Sequence, residues 1–138
     1  MSEEKQVNTM SKALILYSCL LTLKFDPNQN RETRKYFMFY ISGIVFALAE
    51  MLNVSPSVSY YMQTKALTLG VPNHFPYANC DVVNFSENKA IEHIKYVGDG
   101  EWNDFEKSIA LQGMDDIKEF ILNENYDVTD NFYNRFVA

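Results

Sequence analysis

Donor side chains that could bind a metal ion lie close together in the middle of the sequence. His74, Cys80, Asp81 and His93 offer nitrogen, sulfur and oxygen ligands within one stretch. Structural zinc sites, however, combine cysteines and histidines at short and regular spacings. The intervals between these four residues match no such pattern. We therefore expect no bound metal and no cofactor, with His74 exposed and His93 on the polar side of a helix.

The other residue types used in catalysis form no recognisable constellation. The serines within residues 55–59 are explained by helix capping and turn formation. The sequence contains no glycine-rich phosphate loop, no nucleophile elbow and no Cys-x-x-Cys pair. We therefore expect a protein that is not an enzyme.

Aromatic side chains in an irregular stretch are the best candidates for a binding surface. Residues 71–85, VPNHFPYANCDVVNF, contain two prolines and three asparagines and lack helical periodicity. Such a long loop in a compact domain is often functional, and aromatic residues are enriched among interface anchors. We predict a partner-binding site at His74, Phe75, Tyr77 and Trp102, the last of which follows a Gly-Asp-Gly turn. The alternative is that Phe75 and Tyr77 point inward and pin the loop to the core.

The stretch ALAEMLNVSPSVSYYM, residues 47–62, suggests a second function, DNA binding. Its first part resembles the helix-turn-helix pattern L-A-x-x-L-G-V-S, with Asn53 in place of the turn glycine. In that motif a core valine follows the turn valine by five residues. Here Val58 follows Val54 by four, and Ser59 occupies the expected position. Because one residue rotates a helix by about 100°, the DNA-reading face would be misplaced.

Positive charge is also sparse in this region. Residues 56–69, which would form the recognition helix, carry Lys65 as their single basic residue. The basic cluster Arg31, Arg34 and Lys35 lies at the far end of the preceding helix. Contacts to phosphates usually supply much of the affinity for DNA. DNA binding through residues 47–69 is therefore the alternative, and an ordinary helical corner is the preferred interpretation.

The first two predicted helices are strongly apolar. The first begins near Asn8 or Ser11 and runs to about Phe25, and residues 1–8 are expected to be flexible. The second covers residues 31–52 and is capped by Asn28 or Asn30. Its aromatic run KYFMFYIS could form a strand, but the pattern continues too long without a turn signal.

Gly43 lies in the middle of this second helix. Glycine costs about 1 kcal/mol relative to alanine in a helix interior. We therefore expect Gly43 to allow another backbone to approach closely.

Capping residues, prolines and glycines delimit the remaining predicted helices. They run from Ser55-Pro56 to Leu69, from Ser86 through Val97, from Trp102 to Gly113, from Asp115 through Ile121, and from Thr129 to Phe136. The predicted fold class is all-α: a compact, bundle-like single domain over residues 1–138. It has six or seven helices and one long ordered loop near residues 71–85.

Composition and charge agree with a folded domain that carries an acidic end. Of the 138 residues, 47% are hydrophobic and 14% aromatic, and the net charge is −6. Residues 86–138 hold five basic and twelve acidic residues. This acidic part would repel nucleic acid and favour a partner with a basic surface, although it could also serve solubility alone.

The apolar runs at residues 13–25 and 36–49 are shorter than the roughly 20 residues needed to span a bilayer. The two cysteines, Cys19 and Cys80, do not form a disulfide framework, and the first ten residues do not resemble a signal peptide. We expect a cytoplasmic protein without a membrane role.

These observations predict a non-enzymatic protein that acts through protein–protein contacts, as an adaptor, inhibitor or accessory subunit. An accessory protein of a phage or mobile element fits this profile. The apolar first two helices also make a homodimer plausible, because one small domain can fail to cover both.

Overall fold

The computed structural model describes residues 2–27, 29–55, 58–59, 62 and 103–138. In these ranges the chain forms long α-helices and a C-terminal segment of short helical turns, and it contains no strand. The helical class predicted from the sequence is confirmed for this part of the chain. The elements are α1 (Glu3–Leu21), α2 (Arg31–Met51), α3 (Asp104–Asn123), a 3₁₀ turn (Tyr126–Asp130) and a π-helical turn (Tyr133–Val137).

Helix α1 begins earlier than the sequence pattern predicts. The Ser2 side chain accepts a hydrogen bond from the backbone N–H of Lys5 at 3.2 Å, and Glu3 and Glu4 occupy the first turn. A capping serine followed by carboxylates stabilises a helix N-terminus, where backbone N–H groups are unpaired and the helix dipole is positive. The predicted start at Asn8 or Ser11 is therefore wrong. The helix ends at Leu21, before the predicted Phe25.

Helix α2 lies at the centre of the described structure. Of the two predicted caps, Asn28 and Asn30, the second is confirmed, because the Asn30 side chain accepts from the backbone N–H of Thr33 at 2.8 Å. The aromatic run within it is helical, as predicted, and is buried from Phe37 through Val45. Neighbouring elements surround this part of the helix, so apolar side chains are tolerated around its whole circumference.

The corner after α2 is a Schellman motif, a standard way of ending a helix. The N–H of Asn53 bonds the carbonyl of Glu50 at 3.2 Å, and the N–H of Val54 bonds that of Ala49 at 3.1 Å. Asn53 itself has a φ of 49°, in the left-handed region. Asparagine tolerates this region better than most residues, which explains how it replaces a turn glycine.

The predicted Ser55 cap follows this corner and is confirmed. Its Oγ accepts from the N–H of Val58 at 3.3 Å. Val58 and Met62 are buried. The start of this third predicted helix also contacts the beginning of α1, because the Gln6 side chain accepts from the N–H of Ser55 at 3.2 Å. The corner is thus part of the packed structure.

Helices α2 and α3 pack more closely than side chains at the contact would permit. A Cβ at Gly43 would collide with the backbone carbonyl of Ala110. In return, a Cβ at Gly113 would collide with the carbonyl of Tyr40. The expectation that Gly43 allows a close backbone approach is confirmed.

Gly113 corrects another sequence prediction. It was expected to end one helix, with a second starting near Asp115, but the chain forms one continuous helix from Asp104 to Asn123. Only glycine fits at position 113, because the Tyr40 carbonyl of α2 occupies the space that a side chain would need. The N-terminus of α3 is closed by a capping box, in which Asn103 and Glu106 each bond the other's backbone N–H.

The C-terminal segment, residues 126–138, begins with a cap other than the predicted one. Asn125 accepts from the N–H of Asp127, whereas the Thr129 hydroxyl donates to the carbonyl of Tyr126 inside the 3₁₀ turn. Thr129 is therefore not the cap of a final helix. Phe132 is fully buried and anchors the segment against α2. Its ring centroid lies 5.7 Å from that of Phe37.

Other predictions fall on parts of the chain outside the described residues. They include the loop at residues 71–85 and the helices expected between residues 63 and 102. The predicted count of six or seven helices is not supported. The two helices expected on either side of Gly113 are one continuous helix, α3.

None of the helices in the described ranges is both long enough and apolar enough to cross a membrane.

Candidate functional site

A buried carboxylate is the centre of the most extensive side-chain network in the described structure. Asp116 lies on the inner side of α3 and is 2% exposed. Its Oδ2 accepts from the Tyr40 hydroxyl at 2.6 Å. Its Oδ1 accepts from the side-chain amides of Gln112 at 2.6 Å and Asn131 at 2.8 Å. Because a carboxylate has about four acceptor positions, three donors nearly satisfy it.

The network continues through Tyr40 to α1. The hydroxyl oxygens of Tyr17 and Tyr40 are 2.7 Å apart, and either can be the donor. Both side chains are fully buried, and the Tyr17 ring packs edge to face on Phe120 with centroids 5.1 Å apart. Polar groups from α1, α2, α3 and the C-terminal segment therefore converge on Asp116.

A cation lies one step away from the carboxylate. The Oε1 of Gln112 accepts a hydrogen bond from the guanidinium of Arg135, which is exposed on the C-terminal segment. Gln112 thus connects the buried Asp116 to a charged group at the surface. It also has its carbonyl occupied, which fixes the orientation in which its amide donates to Asp116.

Burial dominates the ionisation of the groups in this network. It raises the pKa of Asp116 above its ordinary value of 3.8. The hydrogen bonds from Tyr40, Asn131 and Gln112 favour the charged form and oppose this effect, while the neighbouring Asp115 charge adds to it. Burial likewise raises the pKa of Tyr17 and of Tyr40.

Asp116 can be ionised or protonated without movement of a heavy atom, but the hydrogen bonds of the two states differ. When Asp116 is ionised, Tyr17 donates to Tyr40 and Tyr40 donates to the carboxylate. When Asp116 is protonated, its hydroxyl can donate to Tyr40 and Tyr40 to Tyr17, but the Tyr17 proton then has no acceptor within this chain of hydroxyl groups. Raised pKa values keep both tyrosines as neutral hydroxyls, so neither is activated as a nucleophile. The side chains of Tyr17, Tyr40 and Asp116 are all buried and do not contact solvent in this conformation.

Charged pairs outside this network lie nearer the surface. Lys24 bonds both Asp130 and Thr129 and ties the end of α1 to the C-terminal segment. Lys35 lies 3.9 Å from Glu106. Among the residues that the structure describes, no three metal-ligand side chains converge on one point.

The outer face of α3 combines exposed leucines with exposed acidic residues. Leu111 is 56% exposed and Leu122 is 68% exposed. Helical spacing places both on the side that points away from α2, together with exposed acidic residues. We define the outer face of α3 by Asp104, Leu111, Asp115, Glu119 and Leu122.

No protein-family model, no curated protein and no solved structure matches this chain. Its function must therefore be inferred from its own residues.

The binding residues predicted from the sequence cannot be placed. His74, Phe75, Tyr77 and Trp102 lie outside the described residues. The other candidate metal donors, Cys80, Asp81 and His93, also lie outside the described residues.

Sequence reasoning missed Asp116, although a signal was present. Ile109, Gly113, Ile117 and Phe120 occupy the buried side of α3, and helical periodicity places Asp116 on that side. An acidic residue among apolar positions indicates a buried polar contact. Gly113 hides this signal: as a helix end, it would place Asp116 in the first turn of a new helix, where carboxylates are common.

Proposed function

We propose that this protein is a non-enzymatic adaptor or regulatory protein that binds its partner through the outer face of α3. The partner carries basic side chains around an apolar centre. One observation carries the proposal: exposed Leu111 and Leu122 share a helix face with three acidic residues, Asp104, Asp115 and Glu119.

The chemistry of this face favours a protein partner. When a partner removes these exposed leucines from water, the free energy falls by about 25 cal/mol per Å² of apolar surface buried. The three carboxylates outnumber the two neighbouring lysines, Lys107 and Lys118, and so favour a partner of opposite charge. The net charge of the chain, −6, acts in the same direction at longer range.

The face is also rigidly supported. Helix α3 is capped at its N-terminus by Asn103 and Glu106 and lies in backbone contact with α2 at Gly43 and Gly113. A helix held in this way loses little conformational entropy when a partner binds, so more of the contact energy remains as affinity.

Self-association through the outer face of α3 would bring like charges together. The homodimer expected from the sequence would therefore use another surface. Because residues 37–45 of α2 are buried within the chain, the apolar candidates are Leu16 on α1 and Leu23 just after its end, which are both exposed. A cytoplasmic location is part of the proposal and rests on the sequence.

The experiment starts from capture with the full-length tagged chain in an extract of its native host. The captured protein is identified by mass spectrometry, purified and tested for direct binding at low and high salt. Glu119→Lys and Leu111→Ala should each weaken binding by about tenfold or more. Leu16→Ala is the matched control, since Leu16 is 54% exposed and Leu111 is 56% exposed.

Circular dichroism must show that each variant is folded. Equal binding by the wild-type chain, Glu119→Lys and Leu111→Ala would refute the proposed surface. Loss of binding in Leu16→Ala alone would place the interface on α1 instead.

DNA binding remains a second candidate because of one feature of the corner after α2. Asn53 has the left-handed conformation that the turn glycine of a helix-turn-helix adopts. Against it, the Ser55 hydroxyl donates to the Glu3 carboxylate at 3.2 Å, which places negative charge at the start of the would-be recognition helix. Duplex DNA of random sequence is the probe, and retention at low salt that disappears at high salt would favour this function.

A further inference from the structure

The C-terminal segment, residues 126–138, packs into a groove that other elements of the chain form. Within it Phe132 is fully buried and Phe136 is half-buried. The ring centroids of Phe132 and Tyr40 are 4.9 Å apart. Four aromatic residues from the rest of the chain contact these two rings, and we call them the aromatic groove: Phe25, Phe37, Tyr40 and Phe105. The groove thus holds a short helical peptide with aromatic side chains, supplied here by the same chain.

Polar contacts fix the position of the segment in this groove. Asn131 donates to Asp116 at 2.8 Å, and Asp130 pairs with Lys24. These partners are 15 and 106 positions apart in the sequence. Contacts between side chains so distant in sequence depend on their places in space and not on the chain that joins them. The same segment from a second copy would therefore fit the groove equally well.

The connection between α3 and the segment contains a residue with an unfavourable backbone. Glu124 has a φ of 52°, in the left-handed region. Its N–H and that of Asn125 both bond the carbonyl of Glu119. Glycine and asparagine adopt this region most easily, but Asn125 has an ordinary φ of −87° and the glutamate takes the left-handed position. A rearrangement that straightens this hinge would remove the cost of that conformation.

Large apolar side chains surround the hinge and are exposed to water. They are Ile121 and Leu122 before it and Tyr126 after it. If the segment entered the groove of a second copy, each α3 would have to approach that copy, and the two hinges would lie side by side. The exposed apolar side chains of both chains would then meet and leave water.

We propose that this protein forms a domain-swapped homodimer, in which residues 126–138 of each copy occupy the aromatic groove of the other. The contacts between segment and groove are the same in the monomer and in this dimer, so they favour neither state. The balance is set by the hinge. Release of Glu124 from the left-handed region and burial of the apolar side chains beside it favour the dimer, and the loss of freedom on association opposes it.

Charge at the hinge gives the dimer a characteristic dependence on salt. Glu124 and Asp127 are exposed and would face their copies near the two-fold axis. Salt screens this repulsion, so the dimer should become more stable as the salt concentration rises. Binding of the basic partner proposed above should weaken instead. Leu122 belongs to both surfaces, whereas Leu111→Ala should weaken partner binding alone.

The first test asks whether segments are exchanged and uses two full-length variants, Lys24→Glu and Asp130→Lys. Each variant alone places like charges together, both in its monomer and in its own swapped dimer. In a swapped dimer with one chain of each, both sites hold opposite charges. The two variants, one with an affinity tag so that their masses differ, are mixed in urea, refolded together at high protein concentration and analysed by native mass spectrometry.

The mixed dimer should exceed the statistical proportion by about fivefold or more, because two charge pairs are restored. Dimers in the statistical proportion would show association without exchange, for example through Ile121 and Leu122, and would overturn the proposal. The wild-type chain, refolded at the same concentration, must also form a dimer. A chain that stays monomeric there would overturn the proposal as well.

The second test changes the hinge and leaves the segment and the groove intact. Glu124→Gly and Glu124→Gln both remove the hinge charge, but only glycine removes the cost of the left-handed conformation. Analytical ultracentrifugation should give a dimer Kd for Glu124→Gly that is about tenfold or more above that of Glu124→Gln, since each dimer contains two hinges. Circular dichroism checks that both variants are folded. Equal Kd values for the two variants would refute a hinge that opens on dimerisation.

Discussion

Gly43 of α2 lies directly against the backbone carbonyl of Ala110 in α3, with no space for a side chain between them. The contact is repeated in the opposite direction, where Gly113 of α3 lies against the carbonyl of Tyr40. Backbone atoms cannot rotate away as a long side chain can. These two glycines therefore set the distance between the helices that position Asp116.

Gly43→Ala should destabilise the fold even though alanine is the better helix former. The methyl group would meet the carbonyl of Ala110, and overpacking of this kind costs about 1–3 kcal/mol or more. Urea unfolding measured by circular dichroism gives the free-energy difference. Ser108→Ala, at an exposed position of α3, is the control and should change stability by no more than about 0.5 kcal/mol. A variant at Gly43 as stable as the wild-type chain would contradict the close approach.

Tyr40→Phe should also destabilise the fold, because it removes the hydroxyl shared by Tyr17 and Asp116. Two buried polar groups would lose a partner, at a cost of about 1–3 kcal/mol for each unsatisfied group. Tyr36→Phe is the matched control on the same helix, since its hydroxyl bonds Glu32 at the surface. We expect thermal unfolding to show a clear decrease for Tyr40→Phe and little change for Tyr36→Phe.

The stability of the whole domain should carry a signature of Asp116. Its pKa is raised on folding, so the folded state binds the proton more tightly than the unfolded state. The contribution of this residue to the free energy of unfolding is then fully present below the ordinary pKa of 3.8 and is lost as the pH rises through the raised value. Denaturant unfolding of the wild-type chain and Asp116→Asn over a pH series isolates this contribution as their difference. A difference that grows in the opposite direction would show that the hydrogen bonds outweigh burial.

Asn53 offers a test of the corner after α2. Its left-handed backbone, with a φ of 49°, disfavours residues with an ordinary side chain. Asn53→Ala should cost about 1 kcal/mol, whereas Asn53→Gly should be neutral or slightly stabilising. Thermal unfolding of the two variants checks this order, and the reverse order would be incompatible with the Schellman motif.

Much of the local structure could be predicted from the sequence. The Asn30 and Ser55 caps, the helical state of the aromatic run in α2 and the role of Gly43 were all predicted correctly. The caps and the helical run depend on residues close together in the chain, and Gly43 was identified because a glycine in the middle of a long helix is unfavourable unless packing requires it. The start of α1 was missed because the polar first residues were expected to be flexible, although Ser2 carries a capping signal.

The candidate site was beyond such reasoning. Glycine has the same local preference whether it ends a helix or allows two helices to touch, and only the position of Tyr40 distinguishes these roles at Gly113. Asp116 likewise looks like an ordinary helix residue until Tyr40 and Asn131 are brought to it from distant parts of the sequence.

The sequence by itself determined the helical class, the caps at Asn30 and Ser55, and the acidic character of residues 86–138. These properties follow from local hydrogen bonding, helical periodicity and the count of charges. The tertiary structure alone decided which helix faces are buried and that Asp116 is enclosed without a counter-ion in direct contact among the described residues. The energy of a buried charge depends on the groups that distant segments place around it, and that arrangement exists only after the chain has folded.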